Sequence, residues 1–591
     1  KVDNPVDTNG KFLEGTPLFA GQHVFKANDS VLEVLKAKSK LVHEEKILHS
    51  YPHCWRHKSP IIFRATPQWF VSMEQNNLRK DCIAAIKETK WMPGWGEARI
   101  IGMVENSPDW CISRQRSWGV PIPLFVNKKT GKLHSDTDAI LEKVATDIET
   151  KGINAWFESD AATYIGDEAD NYEKAQDILD VWFDSGVSHN VVLNEREGLT
   201  DYPVADLYLE GSDQHRGWFQ SSLKTSIAMY GKPPYKSVLT HGFTVDAKGQ
   251  KMSKSKGNVV APQKLIQSLG ADILRLWVAS TDYSGEMTVS DEIVKRTADA
   301  YRRIRNTARF LLSNLNGFDP AKDMLPAEQM LSLDKWAVET TRKLQGKIVN
   351  TYGTYEFHQI YQQLHNFCAG EMGSFYLDII KDRQYTTQED SIARRSCQTA
   401  IYHIIEAMVR WLAPICSFTA DELWACMPGE RNDSVLLNTW YELPAMYSDD
   451  KAAAEALTFW KKVTEVRETV NKELEALRVA GEIGSGLAAD VEVYCGREIY
   501  DVLNTLEKEL RFVFITSDAC LYLAGEPPVD AKHYKLSTDD EIWVSVSASS
   551  HAKCSRCWHH REDVGKNEKH PELCGRCVDN VDGNGEERLH A

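Results

Sequence analysis

The feature that most constrains the fold is a strand–turn–helix–strand pattern over residues 207–240. A short apolar strand at 207–209 leads into a polar turn at 210–215, and after the helix a second strand follows at 237–240. The apolar face of the helix consists of Phe219, Leu223 and Ile227. Two strands joined by a helix pack side by side in a parallel sheet, and ligands bind beyond the carboxyl ends of such strands. The polar turn and the segment 241–243 are therefore predicted to border a binding site.

The length of the chain requires several hydrophobic cores. At roughly 100 to 200 residues per domain, 591 residues predict three to five domains. Hydrophobic residues make up 42% and charged residues 26%, which is typical of a folded protein. Residues 1–4 carry neither an initiator Met nor a signal-peptide pattern, and no apolar run reaches the roughly 18 residues of a membrane helix. We therefore expect a chain cut from a longer cytoplasmic protein with no membrane partner.

From about residue 291 to residue 445 the pattern changes to long helices. Two apolar stripes recur at helical spacing: Phe357, Ile360, Leu364 and Phe367 in one, and Ile401, Ile404, Met408 and Leu412 in the other. Pro414 is predicted to stop the second helix, and residues 419–422 have the pattern of a capping box that starts the next. This region is predicted to be a helical bundle.

A small mixed unit is predicted after the bundle. Val463, Val466 and Val470 mark a further helix that ends at the glycine-rich segment 481–486. Residues 490–494 then alternate between polar and apolar side chains, as in a strand. The sequence therefore predicts a small α/β unit up to about residue 548, followed by a cysteine-rich tail.

That tail carries the most specific chemical signal in the sequence. Cys554 and Cys557 form one Cys-x-x-Cys pair, and Cys574 and Cys577 form a second. Two such pairs bring four thiolates within reach of one tetrahedral ion, so we predict one structural Zn²⁺ site without an open position for catalysis. The remaining cysteines are scattered through the chain, which is typical of packed thiols rather than of a disulfide framework.

The segment 251–258, Lys-Met-Ser-Lys-Ser-Lys-Gly-Asn, is a basic loop close to the end of the second predicted strand. Three lysines in six residues are most often a solvated loop. Ammonium groups at the edge of a parallel sheet can also stabilise charge that builds on a phosphoryl group, so a phosphate-binding role stays open. No G-x-x-x-x-G-K-[ST] segment occurs in the chain, which excludes a P-loop within it.

The polar turn contains more hydrogen-bonding side chains than a helix N-terminus needs. A capped turn accounts for one of them, but Glu210, Asp213, Gln214 and His215 follow within six positions. A carboxylate such as that of Glu210 can accept hydrogen bonds from an ammonium group, and the other three side chains can bind ribose hydroxyls. The turn is therefore predicted to hold a ligand.

The charge balance argues against a nucleic-acid partner unless basic residues are concentrated locally. The formal net charge is −16, whereas phosphate neutralisation by Lys and Arg supplies most non-specific affinity for nucleic acids. Residues 301–309 and 394–395 are the candidate basic surfaces, although such runs are more often solvated helix faces.

Several segments together resemble the class I aminoacyl-tRNA synthetases. Lys-Met-Ser-Lys-Ser at 251–255 matches the signature loop of that family at all five positions. The segments 110–123, 180–186 and 210–218 are similar, in the same order, to the isoleucine, valine and leucine branch. Together with the cysteine tail, they resemble the bacterial isoleucine-specific members, and the similarity extends over essentially the whole chain.

The resemblance implies ATP-dependent activation of L-isoleucine to isoleucyl adenylate, with ATP bound together with Mg²⁺, and transfer of the acyl group to tRNA(Ile). Glu210 is implied to hold the amino group of the adenylate, and Trp182 and Trp218 to wall the side-chain pocket. Three further residues are implied to line the adenylate site: Asp213, Gln214 and His215. A monomer is the family expectation.

For ATP itself, the resemblance points to the second strand end and the basic loop. His241, Gly242 and Phe243 are implied to approach the adenine. Lys251 and Lys254 are implied to be the catalytic residues that act on ATP. The family's other ATP-binding signature, His-x-Gly-His, does not occur in the chain, so we expect only half of the site here.

The expected fold is multidomain, α/β plus all-α, in five parts. Residues 1–60 resemble the end of an editing domain, and 61–290 the second half of a Rossmann-like catalytic core with connective insertions and the lysine loop. A helical anticodon-binding bundle is expected at 291–445, a helix with a small α/β junction at 446–548, and a zinc-binding tail at 549–591. The editing residues that would hydrolyse misactivated valine are expected outside the chain.

Two alternatives remain open from the sequence. The valine or leucine enzyme shares the branch and differs from the isoleucine enzyme in the pocket around Trp182 and Trp218 and in the tail. A non-catalytic, zinc-containing RNA-binding protein built from the same parts would also carry the cysteine pairs and the bundle.

Overall fold

The computed structural model describes residues 4–54, 56–196, 204–253, 256–525 and 527–591. The chain divides into two compact units, Lys1–Thr240 and His241–Ala591, called unit 1 and unit 2 below. The described part of the chain contains no helix with the length and apolarity that crossing a bilayer would require.

Unit 1 mixes helices with short strands. Its helices are α1 (Ala27–Ala37), α2 (Leu78–Glu88), α3 (Trp95–Glu105), α4 (Thr137–Lys151), α5 (Asn154–Glu158), α6 (Ala162–Ile165), α7 (Val181–Gly186) and α8 (Trp218–Tyr230). Its strands are β1 (Phe70–Val71), β2 (Lys90–Met92), β3 (Trp110–Cys111), β4 (Ser113–Arg114), β5 (Phe125–Asn127), β6 (Tyr172–Lys174), β7 (Ile178–Leu179), β8 (Tyr208–Gly211) and β9 (Ser237–His241), the last of which ends at the boundary between the units.

The predicted strand–helix–strand pattern is confirmed in unit 1. Strands β2, β9 and β8 form a sheet in that order, and β2 runs parallel to β9 with Trp91 opposite Val238. Helix α8 connects β8 to β9 and buries its predicted apolar face, with Phe219 and Leu223 fully buried. The core of the sheet region thus fixes the turn that precedes α8, because this helix cannot rotate without exposing its apolar face.

Unit 2 is largely helical. Its helices are α9 (Pro262–Leu269), α10 (Ala271–Ser280), α11 (Asp291–Ser313), α12 (Ser332–Thr354), α13 (Phe357–Phe367), α14 (Leu377–Ile379), α15 (Lys381–Thr386), α16 (Ile392–Leu412), α17 (Ser417–Cys426), α18 (Asp450–Ala480), α19 (Arg497–Asn504), α20 (Leu510–Phe514) and α21 (Gly575–Asp582). Its strands are β10 (Thr244–Val245), β11 (Met287–Thr288), β12 (Ala489–Cys495), β13 (Asp518–Leu523), β14 (Lys532–Lys535), β15 (Glu541–Ala548), β16 (Ala552–Lys553) and β17 (His560–Arg561).

The bundle agrees with the helical periodicity, except at one helix start. α13 buries Ile360 and Leu364 of its stripe, and α16 ends at Leu412, two residues before Pro414. The predicted capping box at 419–422 is wrong, because α17 begins earlier, at Ser417. The backbone N–H of Thr419 donates instead to the buried carboxylate of Asp272 on α10, at 2.7 Å. A tertiary contact therefore satisfies the donor that the local capping pattern would have used.

The small α/β region of unit 2 that follows the bundle contains a four-stranded sheet in the order β13-β12-β15-β14. The predicted strand at 490–494 is confirmed as β12, whose alternate residues are buried. α18 ends at Ala480, where Gly481 adopts a left-handed conformation with φ of 79°. The predicted helix stop at the glycine-rich segment is confirmed, and glycine adopts this conformation without a steric penalty.

Candidate functional site

The turn between β8 and α8 is shaped by a close approach at Gly217. A Cβ atom at Gly217 would lie 2.6 Å from Oε1 of Gln214 and 2.9 Å from the ring of Trp182. The side chain of Gln214 accepts a hydrogen bond from the backbone N–H of Trp218 at 3.0 Å and so caps the start of α8. A side chain at this position would have to displace the amide or the indole, so the packing favours glycine.

A cavity of 410 Å³ opens beside this turn, and it is lined by Ser185, Ser188, Glu210, Gln214 and Trp218. Trp218 forms one wall, stacked on Tyr208 with ring centroids 4.0 Å apart and an angle of 10° between the planes. Its indole N–H lies within hydrogen-bonding distance of the Ser185 carbonyl and of the Ser188 hydroxyl, at 3.1 and 3.0 Å. The stacking and the hydrogen bonds therefore fix the orientation of the Trp218 ring.

The predicted ligand-binding residues around this cavity are only partly brought together. Glu210 and Gln214 line it, and the Trp182 ring stands over Gly217 with 42% of its surface exposed. Asp213 is exposed, lies outside the lining and accepts a hydrogen bond from the Gln214 amide at 3.2 Å. An aromatic wall with a carboxylate at the rim suits a small molecule that carries an ammonium group next to an apolar side chain.

His215 lies behind the turn instead of facing the cavity. It is fully buried, its Nδ1 lies 3.0 Å from the Ser212 carbonyl, and Trp91 and Trp95 pack beside its ring at centroid distances of 5.9 and 5.5 Å. Burial lowers the pKa of His215, so the ring is neutral. Nε2 has no hydrogen-bond partner among the described residues.

Asp180 is a residue of this site for which the sequence suggested no role. Its carboxylate caps α7 by accepting from the backbone N–H of Trp182 at 2.9 Å, and it also forms an ion pair with Arg114. These contacts fix the helix that carries Trp182. An Asp at the start of a short helix is a recognisable N-cap signal, but its pairing with Arg114 spans 66 positions and leaves no local pattern.

The segment 241–243 in unit 2 passes very close to a neighbouring backbone. A Cβ atom at Gly242 would lie 1.9 Å from the carbonyl oxygen of Gly285, so only glycine fits there. The N–H of Gly242 donates to the Tyr283 carbonyl at 2.9 Å, and Nδ1 of His241 lies 2.8 Å from the Gly242 carbonyl. The three residues therefore form a fixed backbone platform.

Lys251, at the start of the lysine loop, lies over this platform. Its Nζ is 3.6 Å from the centroid of the Phe243 ring, a cation–π contact. Asn258, at the end of the loop, donates a 2.8 Å hydrogen bond to Asp246, which precedes the loop and which the sequence did not single out. Lys254, the second predicted catalytic residue, lies outside the described residues.

The four tail cysteines come together as predicted. The ligand atoms of Cys554, Cys557, Cys574 and Cys577 all lie within 4.8 Å of one another, and all four residues are buried. Sγ of Cys557 lies 3.7 Å from Sγ of Cys574. Tetrahedral zinc with bonds of about 2.3 Å holds its sulfur ligands about 3.8 Å apart, so the geometry fits one Zn²⁺ ion with a closed coordination shell. Within the described ranges, no other cluster of three or more potential ligands occurs.

Three known families match successive parts of the chain. "tRNA synthetases class I (I, L, M and V)" matches residues 16–290, which include both strand ends and the lysine loop. "Anticodon-binding domain of tRNA ligase" matches residues 334–493. "Zinc finger found in FPG and IleRS" matches residues 553–580, which contain all four cysteines.

Curated relatives are similar over the whole chain. The isoleucine–tRNA ligase of Thioalkalivibrio sulfidiphilus is 62% identical over 590 residues, covering 100% of this chain and 62% of the relative, and that of Nitrosococcus oceani is 61% identical with the same coverage. The chain thus spans about 62% of the length of these relatives. A solved methionyl-tRNA synthetase of Mycobacterium tuberculosis with methionyl-adenylate is 17% identical, with a TM-score of 0.44, covering 64% of this chain and 66% of that one. With the matched families and the relatives in agreement, the chain belongs to the class I tRNA synthetases of the I, L, M and V group.

Proposed function

We propose that the chain is part of an isoleucine–tRNA ligase, which activates L-isoleucine with ATP and transfers it from isoleucyl adenylate to tRNA(Ile). The observation that carries this proposal is 62% identity over 590 residues with a ligase of that name. The chain contributes the cavity around Glu210, the lysine loop, the helical bundle and the zinc-binding tail to that activity.

In the proposed reaction, the cavity in unit 1 binds the aminoacyl part of the adenylate. Glu210 accepts hydrogen bonds from the ammonium group, since its carboxylate is exposed at the cavity rim. Trp182 and Trp218 contact the branched aliphatic side chain. An apolar wall discriminates only weakly against valine, which is one methylene smaller. The well-established discrimination of isoleucine–tRNA ligases, about 150-fold, is the standard example of this limit and the reason for separate editing.

Of the other predicted residues at the turn, two contact the ligand directly in the proposal and one supports the turn. Gln214 and Asp213 bind the ribose part of the adenylate, because the first lines the cavity and the second is exposed beside it. His215 supports the turn from behind and provides a neutral ring at its base. It therefore acts on the ligand through the position of the turn.

ATP binding is assigned to unit 2. His241, Gly242 and Phe243 form the surface for the adenine, where Gly242 allows the backbone to pass closely. Lys251 and Lys254 neutralise the charge that develops on the phosphates as pyrophosphate leaves, an interaction strongest in the transition state. Mg²⁺ accompanies ATP as part of the substrate.

The binding of tRNA is assigned to the bundle and the tail. Arg303 and Arg309 on α11 are exposed, and among the described residues neither forms an ion pair with a carboxylate. Such free guanidinium groups provide local affinity for phosphates despite the net charge of −16. We further propose that the protein acts as a cytoplasmic monomer.

The test is a chimera in which the 591-residue chain replaces the matching part of the Thioalkalivibrio sulfidiphilus ligase. ATP–pyrophosphate exchange is measured separately with isoleucine, valine and leucine. We expect the highest kcat/KM for isoleucine. A larger value for valine or leucine would reject the assigned specificity, and tRNA binding without any exchange would favour a non-catalytic RNA-binding protein.

A further inference from the structure

One face of the small sheet in unit 2 carries an aromatic residue from each strand at the same level. Tyr494 on β12 pairs with Tyr522 on β13 and with Trp543 on β15, and Trp543 pairs with His533 on β14. The row Tyr522–Tyr494–Trp543–His533 therefore crosses the whole sheet. At the usual spacing of about 4.8 Å between strands it is roughly 14 Å long, the length of about four residues of extended peptide.

The rings of this aromatic row form two contacting pairs and reach solvent. Tyr494 and Tyr522 stack with centroids 4.8 Å apart and an angle of 19°, and His533 and Trp543 lie 4.9 Å apart. Tyr522 is 40% exposed, whereas Tyr494 and Trp543 are half-buried. The alternate residues of β12, Val491 and Val493, are buried in the core on the opposite face. The row thus lies on the side of the sheet that faces away from the core.

Carboxylates flank the aromatic row on both sides. Glu492 lies two positions before Tyr494 on β12 and accepts a hydrogen bond from its hydroxyl at 2.8 Å, and Glu541 lies on the other side, 3.7 Å from the His533 ring. The nearby cation, Lys535, is already paired with Asp539 at 2.8 Å. Negative charge is therefore in excess around the rings, and a phosphate backbone would be repelled from them.

We propose that this sheet face is a docking surface for an extended, arginine-containing segment of a protein partner. A guanidinium group stacks on an aromatic ring and pairs with a carboxylate at the same time, which an ammonium group does less well because it is not planar. The row of rings, with Glu492 on one side and Glu541 on the other, provides both interactions. This surface is separate from the residues assigned to aminoacylation, so the inference does not depend on the proposed function.

The test measures peptide binding to the whole zinc-loaded chain by fluorescence anisotropy at 0.15 M salt. The probes are a labelled nine-residue peptide of alternating serine and arginine and its lysine counterpart of equal charge. We expect the arginine peptide to bind more tightly. Tyr522→Ala should weaken its binding by roughly twofold to fivefold without a change in net charge, as expected for one exposed cation–π contact.

Matched variants separate this surface from general electrostatic attraction. Tyr385→Ala removes another exposed tyrosine, 61% exposed on α15, and should leave binding unchanged. Glu492→Gln should weaken the arginine peptide, whereas Glu568→Gln, at an exposed position in the tail, should not. Tyr522→Phe should retain binding, and circular dichroism confirms that each variant is folded.

Three results would overturn the proposal. Equal binding of both peptides that is insensitive to Tyr522→Ala would show attraction by net charge alone. Binding of an oligouridine decamer that Tyr522→Ala abolishes would make the face a nucleic-acid surface. Self-association in sedimentation that disappears in Tyr522→Ala would make a second copy of the chain the occupant.

Discussion

The cavity in unit 1 and the zinc-binding tail in unit 2 are stabilised by different interactions. The cavity is held by ring stacking behind Trp218 and by the close approach at Gly217, and among the described residues neither Glu210 nor Asp213 forms an ion pair. Their carboxylates thus stay available for a ligand. In the tail, by contrast, Arg576 and Arg588 are largely buried and paired with carboxylates of the tail and of the bundle, which is typical of a structural element.

The ion pairs of these two tail arginines centre on Asp382 of α15, in the bundle. Arg576, which lies between Cys574 and Cys577, donates to both oxygens of this carboxylate at 2.7 and 2.9 Å, and Arg588 donates at 2.6 Å. Burial alone would raise the pKa of Asp382, but Arg576 and Arg588 lower it well below its usual range. The metal-binding segment is therefore fastened to the bundle by charge, whereas the described residues that line the cavity form no ion pair.

The largest expected effect comes from removing a zinc ligand. Cys574→Ser should abolish about one equivalent of bound zinc and unfold the tail, because structural zinc contributes on the order of 10 kcal/mol in small zinc domains. Atomic absorption measures the metal and limited proteolysis the tail, while the cavity in unit 1 should keep its structure. Cys426→Ser, at an exposed cysteine of α17, is the control, and equal zinc content in both variants would reject the site.

The next effect tests whether charge pairing fastens the tail. Asp382→Asn leaves Arg576 and Arg588 without their shared carboxylate and should destabilise the docked tail by about 3 to 5 kcal/mol. Hydrogen exchange of α21 measures the loss. Asp582→Asn breaks a surface pair with His570 and should have little effect, because exposed ion pairs contribute little. Similar exchange in the two variants would mean that zinc alone holds the tail.

The helices, strands and cysteine cluster of both regions could be predicted from local sequence. The long-range contacts that hold these elements together could not. Apolar spacing predicted α8 and β12, and the two cysteine pairs predicted the cluster, because these signals lie within one turn, one strand or one knuckle. The contact between Asp382 and Arg576 joins positions 194 apart, and Asp272 caps α17 from 147 positions away. Such pairings depend on the tertiary fold and leave no periodic pattern in the sequence.

The candidate site shows the same limit at the scale of one turn. The crowding of polar residues at 210–215 predicted a ligand-binding turn, yet it did not show which side chains point inward. Glu210 and Gln214 line the cavity, whereas His215 is buried beside Trp91 and Trp95. The directions of Gln214 and His215 follow from the short helical turn at Ser212–Arg216, whose geometry the sequence did not indicate.

Acid pH should destabilise unit 1 through a buried neutral histidine. His189 is 1% exposed, with Nε2 3.1 Å from the Thr225 hydroxyl, and burial lowers its pKa from 6.5 to about 4. The unfolded chain therefore takes up the proton first, and stability falls as the pH drops from about 6.5 towards 4, by up to about 3 kcal/mol.

Hydrogen exchange of α8 at several pH values measures the stability of unit 1, independently of any release of zinc in unit 2. His189→Gln should reduce this pH dependence and leave the part that comes from the buried His215, whose pKa is also lowered by burial. His49→Gln, at an exposed histidine, should leave the profile as in the parent protein. A parent-like pH profile in His189→Gln would assign the acid sensitivity to other groups.

The smallest expected effect tests whether close packing, rather than charge, shapes the cavity. Gly217→Ala places a methyl group 2.6 Å from the Gln214 amide oxygen and 2.9 Å from the Trp182 ring, so one of them must move. Overpacking of this kind costs about 1 to 3 kcal/mol, which urea unfolding of the chain measures. Gly94→Ala is the matched control, because nothing lies within 4 Å of the added atom. Equal losses in the two variants would mean that the approach at Gly217 does not hold the cavity, and its shape would then rest on the stacked ring of Trp218 alone.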